Sequence, residues 1–198
     1  MAAYTDEYVQ GLLAENERLR TLVESLTAEG EAQVANLASL YVAVTSVHGA
    51  LDRPSVLSSV QEIVTNLIGS EELAIFEIDA AHGRLTLLAS TGVEPGPYQE
   101  VYIGEGAIGR AAATGERLIR QDGGSLTEDG DAALTACIPL KVAGRVVGVL
   151  AVFRLLPHKG RLDSIDIDLF DVLAAHAASA LLFTRLYAAS DGIAGATA

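Results

Sequence analysis

Between residues 5 and 30, apolar side chains return at alternating spacings of three and four. Val9, Leu12, Asn16, Leu19, Val23 and Leu26 read as a, d, a, d, a, d of a heptad. A single Asn at an a position fixes register in a parallel two-stranded coiled coil, because it pairs with its twin across the seam. Glu15 then falls at g and Arg20 at the following e, where they can form an interchain ion pair. The competing reading is an amphipathic helix lying on its own domain. Asn16 argues against it, since a lone Asn on an intramolecular apolar face costs more than it returns. Gly30 and Gln33 weaken the seam, yet Leu37, Leu40, Val44 and Val47 resume it in register. The helix therefore either runs unbroken from about residue 5 to Gly49 or pauses near Gly30. Unbroken, it spans roughly 65 Å.

A second helix begins at Asp52-Arg53-Pro54, with Pro in the first turn, and ends at Gly69. The period then changes to two. Residues 73–79 and 84–90 predict strands joined by a turn at 80–83. A short strand follows over 101–103, then a helix over 107–114 stopped by Gly115, and a strand over 117–120. Gln121 to Asp131 is polar and Gly-rich and reads as a loop. Strands over 134–142 and 146–155 form a second hairpin, and a last helix starts at Asp163 or Ser164 and runs to about Ala188. Two hairpins imply an antiparallel sheet. The expected fold is α+β: five to six antiparallel strands, the first two helices and the last on one face, and the crossover 92–131 on the other. The expected division is a coiled-coil helix over 5–33, a domain over 34–188 and a disordered tail over 189–198.

Composition changes this picture in three places. The net charge of −13 in 198 residues is spread along the chain and repels phosphate backbones, so neither nucleic acid nor an anionic membrane is an expected partner. Cys137 is the only cysteine, which excludes an intramolecular disulfide and suits a reducing cytoplasm. The N-terminus lacks the apolar core of a secretory signal, and the apolar stretch Val172 to Thr184, bracketed by Asp171 and Arg185, is too short to span a bilayer.

Gly104, Gly106 and Gly109 match G-x-G-x-x-G, with Asp122 further on. A dinucleotide fingerprint needs about 30 residues with a full helix between buried parallel strands. The segment from Val101 to Asp122 is too short for that, so no nucleotide cofactor is expected. His48, His82, His158 and His176 lie on separate elements, and Asp163, Asp166, Asp168 and Asp171 suit a helix start. Neither set forms a metal pattern, and no nucleophile with a base emerges.

The run from Ile103 to Glu116 resembles the central signature of GAF domains. The run from Ala136 to Phe153, with Pro139-Leu140 and Gly148-Val149-Leu150, resembles that family's two closing strands, and Leu73 to Asp79 followed by Gly83-Arg84-Leu85 also fits. The resemblance covers roughly residues 35–188. It implies a central antiparallel sheet, a ligand pocket on the face away from the helices, and a sensory or protein-interaction role, often in homodimers built from the first and last helices. The Asn-Lys-x-Phe-Asp pattern of cyclic-nucleotide-binding members is missing. Cys137, beside Ile138-Pro139, is in the wrong setting for a bilin, and one cysteine cannot form the recycling disulfide of the methionine sulfoxide reductases of this fold. It reads as a small core residue.

If the crossover roofs a pocket, Tyr98, Tyr102, Ile108 and Arg110 come from the roof, and Phe76, Arg120 and Cys137 from the sheet. Each is otherwise an ordinary core or surface residue. Two functions remain in contention. The first is a non-enzymatic, dimeric signalling module acting through another signalling protein, with no output domain within these residues. The second is a small-ligand sensor for a nucleotide or metabolite whose binding alters the dimer. Neither requires a metal or a resident cofactor.

Overall fold

The computed structural model describes the backbone of residues 2–49, 52–120 and 134–195. The Gln121–Asp131 loop with Asp122, residues 196–198, and the side chains of Gln33, Leu37, Leu40, Val44, Val47, His48 and His158 lie outside the described residues.

Two compact units divide the chain, residues 1–39 and residues 40–198. In the first, helix α1 (Ala2–Gly49) is continuous through Gly30 and crosses the unit boundary. Its described side chains from Tyr8 to Glu31 are all exposed. The apolar seam is exposed with them: Val9 46%, Leu12 54%, Leu19 50%, Val23 60% and Leu26 57%.

In the second unit, α2 (Arg53–Ile63) starts at Asp52, whose carboxylate accepts from the Ser55 amide at 2.8 Å. A π-helical turn, Val64–Ile68, extends α2, and Gly69 closes it in the left-handed conformation. The strands are β1 (Leu73–Asp79), β2 (Arg84–Thr91), β3 (Glu100–Tyr102), β4 (Leu118–Ile119), β5 (Ala136–Val142) and β6 (Arg145–Val152). They form one antiparallel sheet in the order β3-β2-β1-β6-β5-β4. Helix α3 (Gly106–Thr114) lies between β3 and β4, and α4 (Ser164–Gly195) ends the order.

The central strands are buried on both sides, and alternation sorts their residues between two cores. Leu73, Ile75, Ile138, Leu150 and Val152 pack against Val56, Val60, Val64, Phe170, Leu173 and Ala177 of the helical layer. Ala74, Phe76, Cys137, Val149 and Ala151 face the other way, under Ala107, Ile108, Ala111 and Ala112 of α3. This is the expected α+β architecture of six strands. The helical layer is α2 and α4.

Helix α4 runs further than its sequence pattern indicated. It is helical to Gly195. Ala188, Ala189 and Ala194 favour that continuation. Its segment Ser164–Tyr187 is long and apolar enough to cross a membrane, longer than the Val172–Thr184 stretch suggested. Phe170, Leu173, Ala177 and Leu181 of that segment pack in the core, while Ile165, Phe183, Leu186 and Tyr187 are exposed.

Candidate functional site

The site is built where β3 turns into α3. Gly104 (φ 94°) and Gly106 (φ 58°) are both left-handed, a conformation that a Cβ disfavours. They let the Gly104 amide donate to the Gly109 carbonyl at 2.9 Å, while the Glu105 amide donates to the Tyr102 carbonyl at 3.1 Å. Gly109 serves a different need. A Cβ there would run into the carbonyl oxygen of Tyr102, so only glycine lets α3 lie against β3. The glycine motif is thus explained by backbone packing, without a dinucleotide.

This turn walls a cavity of about 280 Å³ on the crossover face of the sheet. Tyr98, Tyr102 and Phe153 supply aromatic rings, Ile108 and Leu134 aliphatic wall, and Glu100 and Glu105 carboxylates. Tyr98 meets Phe153 edge to face, with ring centroids 5.2 Å apart and planes at 61°. Arg84 pairs with Glu100 and lies 3.5 Å from Asp79. Asp79 also accepts from the His82 ring at 2.7 Å, and that hydrogen bond holds its carboxyl below the usual range.

Of the residues expected at a pocket, Tyr98, Tyr102 and Ile108 line this cavity. Phe76 and Cys137 are on the anticipated face, but both are fully buried beneath α3 and do not line it. Arg110 is exposed on α3, two residues and half a turn from Ile108. Arg120 is half-buried, and its amide donates to the Thr135 carbonyl at 2.9 Å, continuing the β4–β5 pairing; it too does not line the cavity. Glu100, Glu105, Leu134 and Phe153 were not anticipated. Phe153 had a readable signal: it continues the Val149, Ala151 alternation of β6 onto the crossover face. Burial pushes the Cys137 thiol up to about 12, against a weaker opposing pull from Arg110. Such a thiol is neutral and unreactive at physiological pH.

A second cavity, about 520 Å³, lies on the helical side between β5 and α4. There Arg117 reaches both carboxylate oxygens of Asp171, at 2.7 and 2.6 Å. Among the described residues, no three His, Cys, Asp or Glu side chains gather as a metal set would.

A family model described as GAF domain matches residues 50–182. The chain belongs to the GAF family. No curated protein matches it in sequence. Its fold is similar to the GAF domain of a phosphoenolpyruvate-protein phosphotransferase from Coxiella burnetii, with a TM-score of 0.64 at 20% identity over 78% of this chain and 96% of that one. Free methionine-R-sulfoxide reductase from Neisseria meningitidis, solved with its substrate, gives 0.63 at 19% identity over 77% and 91%. A GAF domain from A. aeolicus in an inactive state gives 0.56 at 18% over 78% and 98%. At these identities the likeness establishes the GAF fold, in which the glycine turn and the closing hairpin occupy the places that their sequence suggested. GAF domains are in general regulatory or sensor domains.

Proposed function

We propose that this GAF protein is a non-enzymatic, dimeric regulatory module that acts through protein–protein contacts, with α1 joining two copies as a parallel coiled coil. The observation that carries this reading is the exposed seam of α1. Helices in water draw most of their stability from packing an apolar face. From Tyr8 to Glu31 the described side chains are all exposed, and Val9, Leu12, Leu19, Val23 and Leu26 repeat with heptad phase around Asn16. A second copy supplies the missing packing, and Asn16 sets its register. The single buried thiol fits a cytoplasmic setting. It also supports a non-enzymatic role, since one unreactive cysteine cannot cycle through a disulfide.

Light scattering tests the dimer. The unaltered protein should be dimeric, and Leu12→Glu with Leu19→Glu should give monomers that keep the domain's circular dichroism. A monomeric parent overturns the reading, and a dimer that survives both changes moves the interface elsewhere.

The cavity beside α3 favours a second reading, a small-ligand sensor. It joins an apolar and aromatic lining to a few polar groups, the combination that small-molecule sites use. Thermal shifts against a panel of nucleotides and metabolites test it.

A further inference from the structure

The chain has six Tyr, four Phe and no Trp. Three of those ten rings, Tyr98, Tyr102 and Phe153, line the one cavity of about 280 Å³. Among the described residues lining it, every ionisable group other than the two tyrosines is a carboxylate: Glu100 and Glu105. Arg84 pairs with Glu100 and with Asp79, so it offers the cavity no free positive charge and Glu105 is left as the unpaired carboxylate. Glu105 is the N-cap residue of α3 but makes no capping hydrogen bond with its side chain, which leaves its carboxylate available. The start of α3 carries about half a positive charge, which the full charge on Glu105 outweighs. Rings presenting negative faces beside acidic groups attract organic cations, and quaternary ammonium ions most of all.

We propose that this cavity takes a small organic cation, a quaternary ammonium or methylated amine, seated among Tyr98, Tyr102 and Phe153 with Glu105 as its counter-ion. The proposal rests on the ligand-sensor reading and names its ligand class. A nucleotide or other anion is disfavoured, because it would place phosphate or carboxylate against Glu105, with no unpaired cation among the described lining residues to offset it. Phe153 is 1% exposed and forms the floor, while Tyr102 at 53% forms the open rim, so the cation enters past Tyr102.

Three probes of one shape and different charge test it on the full chain: choline, its neutral carbon isostere 3,3-dimethylbutan-1-ol, and the anion 3,3-dimethylbutanoate. Isothermal titration and NMR shifts of residues 98–108 are the readouts. Choline should bind at least about tenfold more tightly than the alcohol, the anion should not bind, and added salt should weaken choline. Glu105→Gln, at an exposed position, should weaken choline about fivefold or more without changing the alcohol. Equal binding of choline and the alcohol, or preference for the anion, overturns the cation assignment and leaves the cavity a ligand site. No shift with any probe, in a protein whose circular dichroism is intact, overturns the cation assignment and counts against the sensor reading as well.

Discussion

Lys159 Nζ lies 2.7 Å from Asp166 Oδ1, and the carboxylate is almost completely buried at 2% exposure. The other Asp166 oxygen accepts from the Asp163 amide at 2.8 Å. The pair thereby ties the loop after β6 to the first turn of α4. A buried charge that loses its partner is costly, whereas an exposed pair contributes little. Lys159→Met should therefore lower unfolding stability by about 1–3 kcal/mol. Arg117→Ala, which breaks the exposed pair with Asp171, should cost less than about 1 kcal/mol. Urea unfolding of both variants checks the order; a larger loss at Arg117 would contradict it.

Gly109 and Gly106 separate two uses of glycine. Gly109→Ala drives a methyl into the Tyr102 carbonyl and forces α3 off β3, so it should destabilise by more than about 2 kcal/mol. Gly106→Ala meets open space and loses only the left-handed conformation, about 1 kcal/mol. Equal losses in thermal unfolding would show that close packing is not what Gly109 provides.

Cys137 should react with a thiol reagent such as Ellman's only as fast as the domain opens, and readily in urea. Its folded value of about 12 lies above the ordinary 9.0. The native state holds the proton where the unfolded state releases it, so stability falls as pH rises from about 9.0 towards about 12. Below that window the group has no effect. Cys137→Ala should remove this part of the alkaline slope; an unchanged slope assigns it to other groups.

Asn16→Val tests the seam from the opposite side to the Leu12 and Leu19 changes. An apolar a position strengthens a coiled coil but loosens its choice of partner number. The helical signal should melt at higher temperature, and analytical ultracentrifugation should detect species larger than a dimer. A lower melting temperature would place Asn16 outside the seam.

Local pattern settled most of the fold. The strand at Leu73–Asp79 follows from its run of apolar and β-branched residues, the start of α2 from Asp52 and Pro54, and the stop of α3 from Gly115. These signals act within a few residues of themselves, so one sequence carries them in full. The ends were less legible. Strand β6 stops at Val152, short of Leu155, although the Phe153 amide still donates to the Glu72 carbonyl and the Leu156 amide to the Gly69 carbonyl, both at 2.8 Å.

The site divides in the same way. Alternation along β1 and β5 was enough to place Phe76 and Cys137 on the crossover face, and the glycine run was enough to place Tyr102 and Ile108 around a turn. Which of them meets open space depends on where α3 comes to rest. Gly109 lets it settle over Phe76 and Cys137, so those two become core, and the cavity opens instead between Tyr98, Tyr102 and Phe153. Phe153 is 55 residues from Tyr98 in sequence, and Glu105 enters through a turn rather than a periodic element. Periodicity assigns a residue to a face. The depth at which that residue lies is set by the layer packed above it, and that was decided by the tertiary structure alone.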